Sequence, residues 1–329
     1  MNIYSKVPLR ISLFGGSTDY PHYYKNYGSE ILNMAINKFV RIEYRKLNPA
    51  TLANYRFVYR KIEMLRNSEE SENPVFKNIF KFTKIYQPGE YNYQSDLPSM
   101  SGVGSSSAFI IAMTNLLNFI KYKKTLNSKN LANQAIFFEQ KILRECVGVQ
   151  DQITCAHGGF NRISIDKKGN YKVKNLMNNY HNRINLLTDS LLLIYSGVRR
   201  FSNVEALSQK KKIIQSDLSF LSESALNAEK IIKNKNVSIY EIGRLLKSNW
   251  EIKKTLSKRM TIPQSEEIIS LCMKNQGIGG KVIGTGNGGF VLFQVKKEYQ
   301  KCLIKKLKKF LVLKFKCFNE KPSINEVII

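Results

Sequence analysis

A loop rich in glycine and serine runs directly into an apolar stretch at PSMSGVGSSSAFIIAM, residues 98–113. Gly102 and Gly104 permit close backbone approach and positive φ. The apolar residues after them predict a helix, whose free N–H groups and positive dipole end favour an anion. The loop therefore predicts a phosphate site, and a serine-capped helix start without a ligand is the structural alternative.

This loop does not fit the two most common phosphate motifs. A Walker A loop requires a lysine before its final Ser or Thr, and none is present. A dinucleotide fingerprint requires a third glycine where Ser107 stands. Another glycine-rich loop, Gly284 to Gly289, matches G-x-G-x-x-G as a string, but the strand-like FVLFQV follows it instead of a helix.

A serine nucleophile is excluded on similar grounds. Its activation normally requires a nearby base, usually histidine. The chain has three histidines, His22, His157 and His181, and no G-x-S-x-G nucleophile elbow.

Two carboxylates follow the glycine–serine loop. Glu139 lies in a predicted helix, and Asp151 stands twelve positions later. Beside a phosphate loop, such a pair suits one magnesium ligand and one group that faces an acceptor hydroxyl. The structural alternatives are a solvated helix residue for Glu139 and a helix N-cap for Asp151.

Composition limits the function classes. The net charge is +27, but the basic residues are spread along predicted helices and no zinc-finger, RRM or basic-zipper pattern occurs. We therefore expect no nucleic-acid partner, and a basic surface suits phosphorylated substrates. Five widely spaced cysteines without C-x-x-C predict a reduced, cytoplasmic setting. No signal-peptide pattern is present, and the longest apolar run is too short to span a membrane.

The periodicity predicts an α+β fold in two domains. Alternating stretches at RISLFGG and NKFVRIEYRKL predict strands, and 74–86, 107–124 and 130–146 predict helices. LLLIYSGV predicts a buried strand, 202–271 is mostly helical, and a helix running into a strand is predicted near the end. We place the domains at 1–185 and 186–329.

Three motifs in order resemble the GHMP small-molecule kinases: PLRISLFGGSTDY at 8–20, PSMSGVGSSSA at 98–108 and KVIGTGNGGFVLF at 281–293. FEQKILRECVGVQDQ keeps that family's spacing between its glutamate and aspartate. The resemblance covers nearly the whole chain. It implies the GHMP fold, with an N-terminal domain like the second domain of ribosomal protein S5 and a ferredoxin-like C-terminal domain.

Within the family, the chain is most similar to the sugar 1-kinases that act on heptose 7-phosphate. VPLRISLFGGSTD, GVQDQITCAHGGFNRI and YSGVRRFSNVEAL carry this likeness. GGSTDY replaces galactokinase's GEHTDY, and the lysine and Gly-Glu-His run usual in mevalonate kinases are missing.

The resemblance implies roles for the loop and its carboxylates. ATP phosphates would bind the loop, with Mg2+ held by Ser106 and Glu139. Asp151 would act as general base or only orient the acceptor hydroxyl, and Arg10 would stabilise this base or the transferring phosphoryl group. Ser107 stands where the family usually has alanine, so its hydroxyl leaves the choice of serine ligand open. The implied ATP-binding residues are Ser101, Gly102, Val103, Gly104, Ser105, Ser106 and Ser107.

The resemblance also implies a sugar pocket. Asp19 would accept hydrogen bonds from sugar hydroxyls, and the third loop, 284–289, would close over the substrate. Asn287 replaces a usual glycine there but can adopt the same left-handed conformation. Arg199 and Arg200 are our candidates for the 7-phosphate, with a solvated basic turn as the alternative. The implied substrate-binding residues are Gly16, Ser17, Asp19, Arg199, Arg200, Gly286 and Gly288.

The resemblance therefore implies an ATP- and Mg2+-dependent kinase that phosphorylates D-glycero-D-manno-heptose 7-phosphate at C1. The product would supply nucleotide-activated heptose for surface polysaccharide. The alternatives are another sugar 1-kinase, acting on fucose or galactose, and a nucleic-acid-binding protein on a degenerate kinase fold. The sequence leaves the oligomeric state, monomer or homodimer, open.

Overall fold

Two antiparallel-dominated sheets with flanking helices make up the protein in a computed structural model, which describes residues 2–199, 218–255, 261–284 and 286–327. The larger sheet contains β1 (Asn2–Phe14), β2 (Ser29–Arg45), β3 (Tyr55–Val58), β4 (Ile62–Leu65), β5 (Gly89–Ser95), β6 (Phe160–Ile165), β7 (Tyr171–Asn175) and β12 (Ser323–Val327). The smaller sheet contains β8 (Leu191–Tyr195), β9 (Gly277–Val282), β10 (Phe290–Val295) and β11 (Leu311–Leu313). The predicted α+β class is confirmed.

The helices lie between and beside these strands. They are α1 (Pro21–Tyr27), α2 (Pro74–Thr83), α3 (Ser105–Tyr122), α4 (Ser128–Phe137), α5 (Gln150–His157), α6 (Met177–Ser190), α7 (Ser219–Lys233), α8 (Glu241–Thr255), α9 (Pro263–Lys274) and α10 (Lys297–Lys306). A 3-10 turn, Ser68–Glu70, lies between β4 and α2. Proline stands at the first turn of α1, α2 and α9, where its missing N–H has no intrahelical acceptor.

The long strand β2 organises the larger sheet. Its first half pairs with β6, its second half pairs with β5, and β1 runs along most of its length. β1 and β2 alternate poorly because most of their residues are buried, as expected for strands covered on both faces. Arg10 and Ser12 are two positions apart on β1 and therefore point to the same face of the sheet.

Helix α3 is the central helix of this half of the molecule. Nearly all its residues from Ser105 to Leu117 are buried, although Ser106 is exposed. A helix that is apolar on all sides must lie inside the protein, which agrees with its packing against β1, β2 and α5. The glycine–serine loop is thereby anchored to the core at the start of α3.

Helix α4 does not continue as the single helix that the sequence predicts. It ends at Phe137, and Phe138–Ile142 form a π-helical turn. A π turn inserts one residue into the helical repeat, and such turns are frequent at functional sites. It carries Glu139 into the interior.

The chain's last described strand does not stay with the smaller sheet. After β11, the chain returns to the larger sheet, where β12 pairs antiparallel with β1. Sequence periodicity shows that a segment is a strand but not which sheet it joins. The division at residues 185 and 186 stays a prediction.

No helix in the described part of the chain is long and apolar enough to cross a membrane.

Candidate active site

A buried arginine holds a carboxylate beneath the glycine–serine loop. The side chain of Arg10 is only 2% exposed. Its Nε donates to Oδ1 of Asp151 at 2.7 Å, and its Nη2 donates to Oδ2. Its Nη1 donates to the carbonyl oxygen of Gly102. One guanidinium therefore connects the predicted base to the predicted ATP loop with the planar fork geometry that suits carboxylates.

Asp151 stands in the first turn of α5, where its carboxylate is 27% exposed. The carboxylate of Asp151 is therefore held by Arg10 yet remains partly exposed to solvent. Arg10 and Asp151 are the two residues that the sequence analysis names as catalytic, and the structure brings them together; their roles stay predictions.

The loop before α3 has the backbone shape that the glycines allow. Gly102 and Gly104 have φ of 89° and 76°, in the left-handed region. The backbone N–H of Arg10 donates to the carbonyl of Val103 at 3.0 Å, so β1 also supports the loop. The N-terminal turn of α3 then presents Ser105, Ser106 and Ser107, with backbone N–H groups suited to an anion.

Glu139 lies buried beside this helix start. Its carboxylate accepts hydrogen bonds from Oγ of Ser107, at 2.9 Å, and from Nε2 of Gln152. The pKa of Glu139 is raised to about 8, chiefly by burial; the nearby Glu145 and Asp151 also raise it, and the hydrogen bonds from Gln152 and Ser107 oppose the shift. A buried carboxyl of this kind favours either a proton or a bound cation.

The groups around Glu139 fit a magnesium ion. They offer oxygen atoms, the hard ligands that Mg2+ prefers. Oε1 of Gln152 is buried without a hydrogen-bond partner, which leaves one acceptor beside Glu139 unsatisfied. No group of three or more His, Cys, Asp and Glu side chains able to hold a metal occurs among the described residues. A cation here would therefore also need serine, water or phosphate oxygens.

The structure separates the two candidate serines. Ser107, at the position where the resembled family usually has alanine, contacts Glu139. The side chain of Ser106, in the same turn, is exposed. The predicted ligand Ser106 faces the open side of the loop and makes no contact with Glu139 among the hydrogen bonds described.

Asp19 lies in a second buried pocket next to Asp151. It accepts hydrogen bonds from the backbone N–H of Ser17 and of Gln150, each at 3.2 Å. Burial and the charge of Asp151 raise the pKa of Asp19 to about 6, although the Gln150 N–H opposes the shift. A side chain at position 148 would collide with it, because a Cβ on Gly148 would lie 1.8 Å from Oδ2 of Asp19.

A polar network that the sequence analysis missed fixes the amide of Gln150. Its Nε2 donates to Oδ1 of Asp19 at 3.3 Å. Its Oε1 accepts from Oγ of Ser12 at 2.8 Å and from Nδ2 of Asn33 at 3.1 Å. Ser12 and Asn33 are paired across β1 and β2. The sequence did contain one signal for this network: Arg10 and Ser12 are polar residues two positions apart in the apolar second half of β1.

The third loop packs against the glycine–serine loop. Asn287 has φ of 59°, so it takes the left-handed conformation expected of it. The N–H of Phe290 donates to the carbonyl of Ser101 at 3.3 Å, and a Cβ on Gly289 would lie 2.3 Å from that same oxygen. Gly286 and Gly288 belong to this loop, and Gly16 and Ser17 lie in the turn that leads to Asp19.

Of the two predicted phosphate arginines, Arg199 is exposed after β8. Its neighbour Val198 accepts a hydrogen bond from the N–H of Gly289 at 2.9 Å, which places this segment beside the third loop. Arg200 lies outside the described residues. Two buried lysines were missed, Lys253 on α8 and Lys281 on β9.

Comparison with known proteins supports the fold. Residues 62–159 match the family model described as the GHMP kinases N terminal domain. A solved D-glycero-D-manno-heptose 1-phosphate kinase from Bacteroides thetaiotaomicron superposes with a TM-score of 0.78, covering 99% of this chain and 100% of that one at 20% identity. The chain carries a GHMP kinase N-terminal domain and has the GHMP kinase fold.

Two further kinases are similar over more than nine-tenths of their length. The D-glycero-alpha-D-manno-heptose 7-phosphate kinase of Campylobacter jejuni is 27% identical, covering 93% of each chain. The mevalonate kinase of Methanocaldococcus jannaschii is 24% identical, covering 95% of this chain and 98% of its own. The matched GHMP domain contains the glycine–serine loop, Glu139 and Asp151, whereas Arg10 and Asp19 precede it.

Proposed function

We propose that this protein is an ATP-dependent kinase that phosphorylates the C1 hydroxyl of D-glycero-D-manno-heptose 7-phosphate to give the 1,7-bisphosphate. The observation that carries the proposal is the Arg10–Asp151 pair, which lies directly under the glycine–serine loop and keeps a carboxylate open to the cleft. A phosphate-binding loop beside an acceptor-facing carboxylate is the minimum arrangement for phosphoryl transfer.

ATP would place its phosphates at the N-terminal turn of α3. The left-handed Gly102 and Gly104 bring backbone N–H groups close to the phosphates, and the helix dipole favours their negative charge. The third loop, which rests on Ser101, closes the other side and limits water in the cleft.

Asp151 would accept the proton of the C1 hydroxyl as the sugar oxygen forms its bond to the γ-phosphorus and the bond to ADP breaks. Arg10 keeps the carboxylate in position and brings a permanent positive charge near the transferring group. Phosphoryl transfer can have a loose transition state that needs little help from a base, so the alternative role of Asp151 is to orient the hydroxyl.

Glu139, with Ser107 against it and Ser106 on the same turn, would hold Mg2+. The ion, when bound, neutralises charge on the phosphate oxygens of ATP. On the acceptor side, Asp19 and the Gln150 network would hold sugar hydroxyls, since a fixed carboxylate accepts such hydrogen bonds in a defined direction.

The choice of sugar rests on similarity to the heptose 7-phosphate kinase and on a basic protein that suits a phosphorylated acceptor. A galactokinase and an L-fucokinase are also relatives, at 23% and 24% identity, so another sugar 1-kinase is the alternative. The 1,7-bisphosphate would supply synthesis of nucleotide-activated heptose for surface polysaccharide.

The test is a screen of ADP formation over free sugars and sugar phosphates, with the Asp151→Asn variant as the blank. We expect heptose 7-phosphate to give the highest kcat/KM, with phosphorus NMR locating the new phosphate at C1. A preference for unphosphorylated fucose or galactose would favour the alternative sugar kinase. Absence of turnover with every sugar would refute the proposed activity.

A further inference from the structure

Gln150, the residue before Asp151, holds Asp19 with both its main chain and its side chain. Its backbone N–H, at the start of α5, donates to Oδ2 of Asp19 at 3.2 Å, and its Nε2 donates to Oδ1 at 3.3 Å. Both residues are buried, so little water competes for these hydrogen bonds. Each oxygen of the Asp19 carboxylate therefore receives a hydrogen bond from this one residue.

The direction of the Gln150 amide is fixed by the groups behind it. Its Oε1 accepts from Oγ of Ser12 at 2.8 Å and from Nδ2 of Asn33 at 3.1 Å. That Nδ2 also donates to Oγ1 of Thr154 at 3.2 Å, and the Thr154 hydroxyl gives its single hydrogen to the carbonyl of Gln150 at 2.7 Å. A reversed amide would bring the NH2 groups of Gln150 and Asn33 together, so the NH2 group of Gln150 stays turned toward Asp19.

This network carries a cost in stability. Both hydrogens of the Asn33 amide are used, but its Oδ1 is buried without a hydrogen-bond partner. A buried carbonyl oxygen that lacks a partner destabilises the fold, and such groups in native proteins call for an explanation. The contacts supply one, because Asn33 can fix the direction of the Gln150 amide only by turning its own NH2 group toward it.

Strand β1 supports the two acids of the cleft from successive positions on one face. Arg10 holds the carboxylate of Asp151. Two positions later, Ser12 holds Gln150, and Gln150 holds Asp19. Side chains two positions apart on a strand point to the same face of a sheet. The strand therefore fixes the position of one acid relative to the other, and for Asp19 it does so through Gln150.

We propose that Gln150 is a positioning residue that keeps the carboxylate of Asp19 ionised and oriented to accept a hydrogen bond from the sugar. The proposal deepens the proposed function and rests on it only for the identity of that sugar. An NH2 group can only donate, and a donor held against a carboxyl favours its charged form. The pocket therefore selects a ligand that presents a hydroxyl to Asp19 and disfavours one that presents only an acceptor, such as a carbonyl oxygen.

Other charged and titratable groups also act on Asp19. Burial, and then the charge of Asp151 on α5, raise its pKa to about 6, and Lys253 on α8 opposes the shift. The guanidinium of Arg10 on β1 and the phenol of Tyr24 on α1 also interact with the Asp19 charge. A substitution that removes only the neighbouring amide leaves these four groups in place, so a change in the pKa of Asp19 reports the contact with that amide.

The experiment follows the carboxyl carbon of Asp19 by NMR in protein that carries carbon-13 aspartate, without any substrate, and Asp19→Asn identifies the signal. In Gln150→Met the titration midpoint should rise by about one pH unit, since a hydrogen bond to a charged group has about this strength. Gln300→Met on α10 is the matched control, because that amide is also buried but donates to the carbonyls of Asp189 and Val295. An unchanged midpoint in Gln150→Met would overturn the proposal.

Gln150→Glu covers the case in which the methionine variant does not fold, because its shape is nearly that of the original side chain. The new carboxyl would stand where the NH2 group now meets Asp19, and two carboxyl groups in contact share one proton and titrate as a pair. We expect the Asp19 carbon to titrate in two steps in place of one. A single step at the original midpoint would contradict the contact.

Sugar binding separates this inference from the proposed function. Gln150→Met should bind heptose 7-phosphate about tenfold more weakly at pH 7, with ATP affinity unchanged, and the pH at which binding weakens should rise together with the Asp19 midpoint. If the midpoint rises but no sugar binds even the unaltered protein, the proposed function fails and the positioning of Asp19 by Gln150 stands. Normal sugar affinity despite a raised midpoint would overturn the role of Gln150 in binding.

Discussion

Arg10 binds both carboxylate oxygens of Asp151 across 141 positions of sequence and also donates to the carbonyl of Gly102. The predicted base and the predicted ATP loop are thus joined by one buried side chain. Movement of either would disturb the other, because the guanidinium is rigid and planar.

Asp151→Asn should abolish most turnover while ATP still binds. The amide cannot accept the proton, and loss of a general base typically reduces kcat by about 10²–10⁴-fold. Turnover and ATP affinity are measured together, with Asp166→Asn in the exposed turn before β7 as control. A near-normal rate in Asp151→Asn would remove the residue from the chemistry.

Ser107→Ala should increase the Mg2+ concentration needed for half-maximal ATP binding more than Ser106→Ala does. Ser107 already contacts Glu139, and its hydrogen bond lowers the pKa of that carboxyl. The two alanine variants are each other's control, since they differ by one position in the same turn. The reverse ranking would identify the exposed Ser106 as the direct ligand.

Mg2+ affinity should rise with pH up to about 8. The pKa of Glu139, about 8, lies above its ordinary value of 4.5, mainly because of burial. Below that pH the cation must displace a proton, so affinity should fall about tenfold per pH unit. The same shift makes the metal-free fold lose stability as pH rises from about 4.5 to 8. Calorimetry in buffers of different ionisation enthalpy measures the released proton, and Glu139→Gln should show no release. Equal Mg2+ affinity at pH 6.5 and 8.5 would contradict this linkage.

Sugar binding should weaken as pH falls through about 6. Burial, and then Asp151, raise the pKa of Asp19 to about 6, so the group is protonated below that value and loses acceptor capacity. The pH dependence of sugar affinity, measured without ATP, should show this ionisation. In Asp19→Asn the dependence should disappear and binding should be weaker throughout. A flat profile in the unaltered protein would exclude Asp19 as the acceptor.

Gly289→Ala should weaken ATP binding far more than Gly197→Ala. Both glycines have positive φ, 76° and 81°, so backbone strain is similar. Only at position 289 would the new Cβ collide, 2.3 Å from the carbonyl oxygen of Ser101, whereas Gly197 has no atom within 4 Å. The difference between the variants therefore isolates contact between the third loop and the ATP loop. Equal ATP affinity in the two would show that this contact is dispensable.

Local features of the site could be predicted because they depend on neighbouring residues. Gly102, Gly104 and Asn287 have the conformations that their side chains, or lack of one, permit. The helix after the ATP loop and the strands around the third loop also follow from periodicity. The π turn at Glu139 was not predictable in this way, since its pattern of apolar residues resembles that of an α-helix.

The sequence by itself determined the α+β class, the order of the three glycine motifs and the spacing of Glu139 and Asp151, because these depend on residue type and order. Only the tertiary structure decided that Ser107 meets Glu139, that Gln150 is held by Ser12 and Asn33, and that Lys253 and Lys281 are buried. It also returned β12 to the first sheet. The physical reason is that contacts between distant segments depend on how the strands and helices pack. Burial shifts the pKa values of Asp19 and Glu139, and these side chains become buried only when the chain has folded.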